Sequence, residues 1–251
     1  MMRRLRLNHV GVPGLVAVMV LLAGALASPA NAQVVQVTRA DSRNLVGFNL
    51  GYFMVKGEEG RVDDDVLLAN LNDLAFEIGD FSGWTFGGEW LYGVGDFLET
   101  GVGVGYYQRT VTSVYRDFVN DNGSEIAQDL KLRIVPISAT MRFLPVGRGG
   151  AVEPYIGGGI GFFNWRYTES GEFVDFSVGS IFREQYKASG TAVGPVVVAG
   201  LRIPVGDALT AGFEYQWQTA EGDTKPAESE LLGSLIDLGG NTFSFTMHFR
   251  F

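Results

Sequence analysis

From Phe243 to Phe251 the chain alternates without a break. Phe243, Phe245, Met247, Phe249 and Phe251 share one parity, and Ser244, Thr246, His248 and Arg250 share the other. Period two marks a strand with one apolar and one polar face. The same pattern recurs over 44–55, 83–93, 97–113, 152–167, 187–203 and 208–218. In the first of these, Val46, Phe48, Leu50, Tyr52 and Met54 oppose Gly47, Asn49 and Gly51; in the last, Leu209, Ala211, Phe213, Tyr215 and Trp217 oppose Thr210, Gly212, Glu214 and Gln216. An eighth segment, 126–143, changes phase: Leu130, Leu132 and Ile134 lie on one parity, Ile137, Ala139, Met141 and Phe143 on the other. A β-bulge at Val135-Pro136 would reconcile the two halves, since proline in a sheet belongs at bulges and edges.

Across the eight apolar faces so assigned, no Asp, Glu, Lys or Arg occurs. Aromatics such as Tyr52, Trp84, Tyr92, Tyr106, Phe162 and Trp217 fall near strand ends, where interfacial girdles belong. The connections alternate between short (94–96, 144–151, 204–207) and long (56–82, 114–125, 168–186, 219–239). The first residues supply the compartment. Arg3, Arg4 and Arg6 precede the apolar run Leu15 to Leu26, and Ala30-Asn31-Ala32 follows, the form of a secretory signal peptide cleaved after Ala32. That run is short for a spanning helix, which needs about 20 apolar residues. The expected organisation is a leader, 1–32, and one barrel domain, 33–251. The expected fold is all-β: a transmembrane antiparallel up-and-down β-barrel of eight strands with both termini periplasmic, closed because an open edge in lipid leaves backbone groups unpaired.

Composition narrows the chemistry. Zero cysteines among 251 residues exclude a disulfide framework, a thiolate metal site and a cysteine nucleophile. A net charge of −9 argues against nucleic acid as a partner. The 35 glycines, about twice the usual share of roughly 7%, cluster on the polar parity of the strands.

The stretch from Glu153 to Gly161, with Pro154-Tyr155 followed by glycines at 157, 158, 159 and 161, resembles the P-Y-x-G-x-G strand of small eight-stranded outer-membrane barrels of the OmpW, OmpX and OmpA-barrel kind. In OmpW-like proteins the preceding strand also carries a mid-strand proline, as at Pro136. The terminal strand resembles the barrel-assembly signal of such proteins, which would assign that role to Phe243, Phe245, Met247, Phe249 and Phe251. The resemblance implies outer-membrane lipids and lipopolysaccharide, the barrel-assembly machinery and periplasmic chaperones as partners, and a monomeric state.

An eight-stranded barrel is just wide enough for side chains to fill it or to hold one small ligand. The inward parity carries Asn49, Tyr107, Arg142 and Gln216 together with the candidate lumen residues Glu89, Glu99, Arg109, Lys131, Arg133, Arg202, Glu214, His248 and Arg250. Counting along each strand places Glu99, Arg202, His248 and Arg250 near the periplasmic end, Glu89 and Glu214 nearer the middle, and Arg109, Lys131 and Arg133 toward the outer mouth. Two readings stand: a plug of paired charges, because confined charges must be paired, or a narrow polar path. The glycines serve either, by making room for long side chains or by leaving an empty tube.

The loop 57–82 is strongly acidic, and Leu67, Leu71, Leu74 and Ile78 recur at helical spacing behind Asp63, Asp64 and Asp65, predicting a short amphipathic helix over the barrel mouth beneath a solvated acidic cap. Its carboxylates lack the alternate spacing and glycine of a calcium loop, so neither metal nor cofactor is expected. In 219–239, Leu231, Leu232, Leu235 and Ile236 would fold down or project. Some small barrels act on lipid A through His and Ser at the outer side; His248, inward and near the periplasmic rim, is misplaced for that. Three non-enzymatic roles remain: envelope structure, a porin-like channel or carrier, and adhesion through the outer loops, the last disfavoured because those loops show no repeated β-extension.

Overall fold

The computed structural model describes residues 43–225 and 231–251; the expected leader lies outside the described residues. Among the described residues there are ten strands: β1 (Asn44–Val55), β2 (Gly83–Gly93), β3 (Leu98–Val119), β4 (Glu125–Phe143), β5 (Glu153–Val174), β6 (Ile181–Val205), β7 (Leu209–Gln218), β8 (Glu221–Asp223), β9 (Leu235–Asp237) and β10 (Gly240–Arg250). Eight of them close an antiparallel barrel in chain order, with β10 beside both β7 and β1. Closure on β1 seats Tyr52 opposite Phe243 and Phe48 opposite Met247. The short strands β8 and β9 pair with each other between β7 and β10.

The apolar parity faces outward around the ring. Phe48, Leu50, Trp84, Phe86, Val102, Val104, Ile137, Ile156, Phe162, Val193, Ile203, Phe245 and Phe249 are all exposed, a continuous exterior belt. A belt of large apolar groups in water would be unstable, and lipid removes that cost.

The strands are unequal. β3, β4, β5 and β6 have 22, 19, 22 and 25 residues, whereas β1, β2, β7 and β10 have 12, 11, 10 and 11. A spanning strand needs about 9–11 residues, so four contiguous strands continue well past the belt. The expectation of loops without β-extension is therefore corrected: most of 114–125 and of 168–186 is strand, forming two tall hairpins. The reason is that the alternation continues there with its faces exchanged. Above Tyr106, Val135, Phe162 and Val193 the exterior carries Gln108, Thr110, Lys131, Arg133, Arg166, Thr168 and Lys187, while Val111, Leu130, Leu132, Trp165, Tyr167, Ala188 and Ala192 are buried inside. Where water replaces lipid outside, apolar groups turn inward.

That exchange also removes the expected bulge. β4 keeps one register on β3, from Leu98 opposite Phe143 to Val114 opposite Ala127, and one register on β5 throughout. Pro136 only interrupts the ladder to β3, between the pairs Val104–Ile137 and Tyr107–Ile134, as a residue without an N–H must. Leu130, Leu132 and Ile134 are inward on an unbroken strand, so no phase change is needed.

The β1–β2 connection holds α1 (Val66–Asn70), a helix of 5 residues that stops about two turns short of the expected amphipathic helix through Ile78. Asp65 caps it, its Oδ1 accepting from the Leu67 N–H at 2.7 Å. The chain then leaves the helix: Leu74 bridges Tyr115 of β3, and Ile78–Phe81 forms a 3-10 turn.

Candidate functional site: a filled lumen

The interior divides into three levels along the barrel axis. At the end where β1 begins and β10 finishes, four strands and a turn supply a charge layer. Arg202 Nη2 of β6 lies 2.7 Å from Glu99 Oε2 of β3, and Arg148, from the β4–β5 turn, lies 3.3 Å from Glu99 Oε1. Arg250 of β10 holds Glu153 of β5 through both carboxylate oxygens at 3.0 and 3.1 Å, and the Gly149 N–H donates to the same carboxylate at 2.6 Å. Glu99, Glu153 and Arg202 are fully buried.

One level further in, Arg142 of β4 makes a two-pronged contact with Glu89 of β2 at 2.6 and 3.2 Å and reaches Glu214 of β7 at 2.9 Å. His248 Nε2 lies 2.6 Å from Glu89 Oε1, and the Tyr155 hydroxyl donates to Glu214 at 2.8 Å. The Tyr155 ring joins the levels: the guanidinium carbons of Arg142 and Arg202 lie 5.0 and 5.2 Å from its centroid, within cation–π range. Glu89, Glu99, Glu153 and Glu214 thus face Arg142, Arg148, Arg202 and Arg250, carboxylate for guanidinium, as charges in a low-dielectric enclosure require.

The inward glycines make room for this network. A Cβ at Gly47 would collide with the His248 ring, at Gly93 with the Arg148 guanidinium and at Gly200 with the Tyr155 hydroxyl, 2.5 Å away; at Gly157 it would crowd Arg142 Cγ at 3.0 Å.

Above the network lies a chamber of about 70 Å³ lined by Asn49, Thr85, Ser138, Gln216, Thr242 and Ser244, polar enough to hold water. Its ceiling is the third level, one apolar cluster built from wall and loops together. Phe53, Tyr107, Val111, Leu132, Ile134, Phe163, Trp165 and Val198 come from the strands; Val66, Leu67, Leu74, Ile78 and Phe81 come from the first loop, and Ile236 and Leu238 from the last. Polar ties fix the two loops to each other. Arg61 Nε donates to Asp65 at 2.8 Å and its Nη2 to the Asp237 carbonyl at 2.8 Å, while Lys56 reaches the Asp237 carboxylate at 3.0 Å. Asn70 of α1 donates to the Tyr167 hydroxyl at 3.2 Å and to Glu169, and burial pushes both the Glu169 and the Asp65 carboxyls up from their ordinary values. The acidic loop is only partly a solvated cap: Asp63, Asp64, Glu58, Glu59, Glu77 and Asp80 are exposed, but Asp65 is buried.

Of the residues named from the sequence, Glu89, Glu99, Arg202, Glu214, His248 and Arg250 point inward, in the two charge levels. Lys131 and Arg133 do not line the lumen: on the unbroken register of β4 they take the outward parity, beside the buried Leu130, Leu132 and Ile134. Arg109 has inward parity but stands exposed at the rim, level with Gly83 at the end of β2, and donates to the Asp80 carbonyl at 2.9 Å. Sequence reasoning passed over Glu153 and Arg148. Glu153 shares the parity of Tyr155, a usable signal; Arg148 sits in a turn, where parity says nothing. Phe243, Phe245, Met247, Phe249 and Phe251 are exposed on the exterior.

A closed antiparallel barrel with an apolar exterior belt and a charged, filled interior defines a transmembrane β-barrel of the outer-membrane class. Residues 18–251 match the outer membrane protein beta-barrel domain, and the chain belongs to that family, which places it in the outer membrane. Among solved structures it is similar to the outer membrane protein OprG of Pseudomonas aeruginosa, at 8% identity over 84% of this chain and 96% of that one with a TM-score of 0.46. It is also similar to the neisserial surface protein A, at 13% identity over 83% and 96% with a TM-score of 0.43, and to the attachment invasion locus protein Ail of Yersinia pestis, at 13% over 84% and 100% with a TM-score of 0.41. No curated protein matches the sequence.

Proposed function

We propose that this protein is a sealed, non-enzymatic barrel that serves the structure of the outer membrane, exported with a leader removed after Ala32 and inserted with both termini in the periplasm and its tall hairpins on the cell surface. The observation that carries this reading is the pair of seals in series: four carboxylates matched to four guanidiniums below, and an apolar cluster tied in by two loops above. Between them lies only the small polar-lined chamber. A solute crossing this lumen would have to break buried ion pairs, each costing about 3–5 kcal/mol when one partner is lost. The alternation of short turns with long connections supports the orientation, and the exposed terminal aromatics support their reading as an assembly signal. His248, engaged with Glu89 at the inner charge level, has no route to a lipid substrate. Planar-bilayer recording of the purified full chain tests the seal. The expected result is no conductance steps, both for the native chain and for a variant lacking residues 57–82; discrete steps from the native chain would replace this reading with the channel.

One observation favours a second role, adhesion. The two tall hairpins end in exposed Phe118, Val119, Phe176, Val178 and Phe182. Cells carrying F176S/V178S should lose attachment to a host-cell or matrix surface if the tips are adhesive, with barrel yield unchanged; attachment equal to that of the native chain would leave the structural role alone.

A further inference from the structure

Outside the lumen, the wall just above the apolar belt concentrates positive charge. β4 presents Lys131 and Arg133, β5 presents Arg166 and β6 presents Lys187, around a groove of about 490 Å³ shared with Gln108 and Thr168. The register fixes how close they stand. Arg133 is directly opposite Arg166 across β4–β5, and Lys131, Thr168 and Lys187 form one row across three strands. Directly opposed residues on a sheet face hold their Cβ atoms about 4.5–5.5 Å apart, and like charges so placed repel. No ion pair relieves them among the described residues, and the nearest carboxylate on this face, Asp129, accepts from the Thr112 hydroxyl at 2.6 Å. The Nε atoms of Arg133 and Arg166 are buried without a hydrogen-bond partner. In a chain of net charge −9, four cations here share a groove with a single carboxylate, Asp129, a local excess of positive charge suited to an anion.

The position of the groove selects the anion. Below Arg133 and Arg166 comes a mixed row of Val135, Asn164 and Thr191 with Tyr106 close by, and the row after it is apolar at Val104, Ile137, Phe162 and Val193, so the groove lies just above the belt, at headgroup height. We propose that Lys131, Arg133, Arg166 and Lys187 bind the phosphate groups of an outer-leaflet glycolipid whose acyl chains lie against the belt below. The guanidinium groups would take the phosphate oxygens, relieving the repulsion across β4–β5. The assignment to the outer leaflet rests on the surface orientation of the hairpins proposed above.

The test uses the full chain in detergent micelles, where orientation plays no part, titrated with bisphosphorylated lipid A, with its dephosphorylated form and with inorganic phosphate, and read by native mass spectrometry. The native chain should retain bisphosphorylated lipid A at least tenfold more tightly than the dephosphorylated form. K131Q/R133Q/R166Q/K187Q should lose that preference, and R183Q, at an exposed arginine outside the groove, should keep it. R166Q supplies a control for folding: it should unfold no more readily than the native chain without lipid, yet gain less stability on lipid A addition. Equal affinity for the dephosphorylated lipid, an undiminished preference in the quadruple variant, or equally tight binding of inorganic phosphate would each overturn the proposal. Labelling of S177C on intact cells by a membrane-impermeant thiol reagent separates the two readings: failure to label alongside preserved lipid A binding overturns the orientation and the leaflet, whereas labelling without lipid A preference overturns the site alone.

Discussion

Glu99 illustrates how one residue is committed by its surroundings. It is fully buried, with Arg202 at 2.7 Å on one oxygen and Arg148 at 3.3 Å from the other, and the Glu153 carboxylate, 3.7 Å from Arg202, is the next counter-charge. Removing one partner of a buried pair costs about 3–5 kcal/mol, because the other charge is left uncompensated. E99Q should therefore lower the urea stability of the folded barrel by that order, measured from the unfolding midpoint in vesicles; a loss well under about 1 kcal/mol would mean that water reaches this level. Such residues were legible in the sequence because they are charges on a parity otherwise given to glycine: Glu89, Glu99, Arg202, Glu214, His248 and Arg250 all followed from counting by twos. Lys131 and Arg133 did not, since the count carries no information about the medium outside. Beside lipid an outward lysine is excluded; above the belt it is preferred.

The same ambiguity shaped the elements. Leu130, Leu132 and Ile134 against Ile137, Met141 and Phe143 reads as a slipped phase if the apolar side must always face out, and as an unbroken strand once the outside changes from water to lipid partway along it. Hairpins 114–125 and 168–186 were hidden for the same reason. The first loop was half legible: its apolar spacing foretold burial, but helical spacing over Leu67 to Ile78 is realised only as α1 and a separate 3-10 turn, because Leu74 is drawn into a bridge with Tyr115. This lid should respond to pH. Burial holds the Asp65 and Glu169 carboxyls above their ordinary range, so the docked lid binds protons more tightly than the undocked one. Docking then weakens as pH rises from the ordinary carboxylate value through the raised one, and strengthens on acidification across the same window. Hydrogen exchange at Leu67 to Asn70, corrected for intrinsic rates, should show more protection near about pH 5 than near about pH 7, and E169Q should flatten part of that difference. An unaltered slope in E169Q would assign the dependence to another group.

For the whole molecule, the closed ring and its membrane belt followed from the alternation and the absence of charge on one parity, because lipid tests every exposed position at once. What fills the ring did not follow. Whether inward glycines leave an opening or receive a neighbour's side chain depends on which strands pair and how the turns fold, and only the closed barrel seats Gly47 beside His248 and Gly93 beside Arg148. The two seals are also structurally independent, one held by strand side chains and the other by loops, which is why deletion of the lid alone is expected to leave the barrel non-conducting.

Because the four long strands are contiguous around the ring, the wall of the barrel is uneven in height. On the β3–β6 flank a polar parapet rises above the bilayer; on the flank of β1, β2, β7 and β10 the rim stays low. A neighbour drifting in the plane of the membrane therefore meets two unlike faces, and crowding in that plane would favour particular headings of the barrel over others.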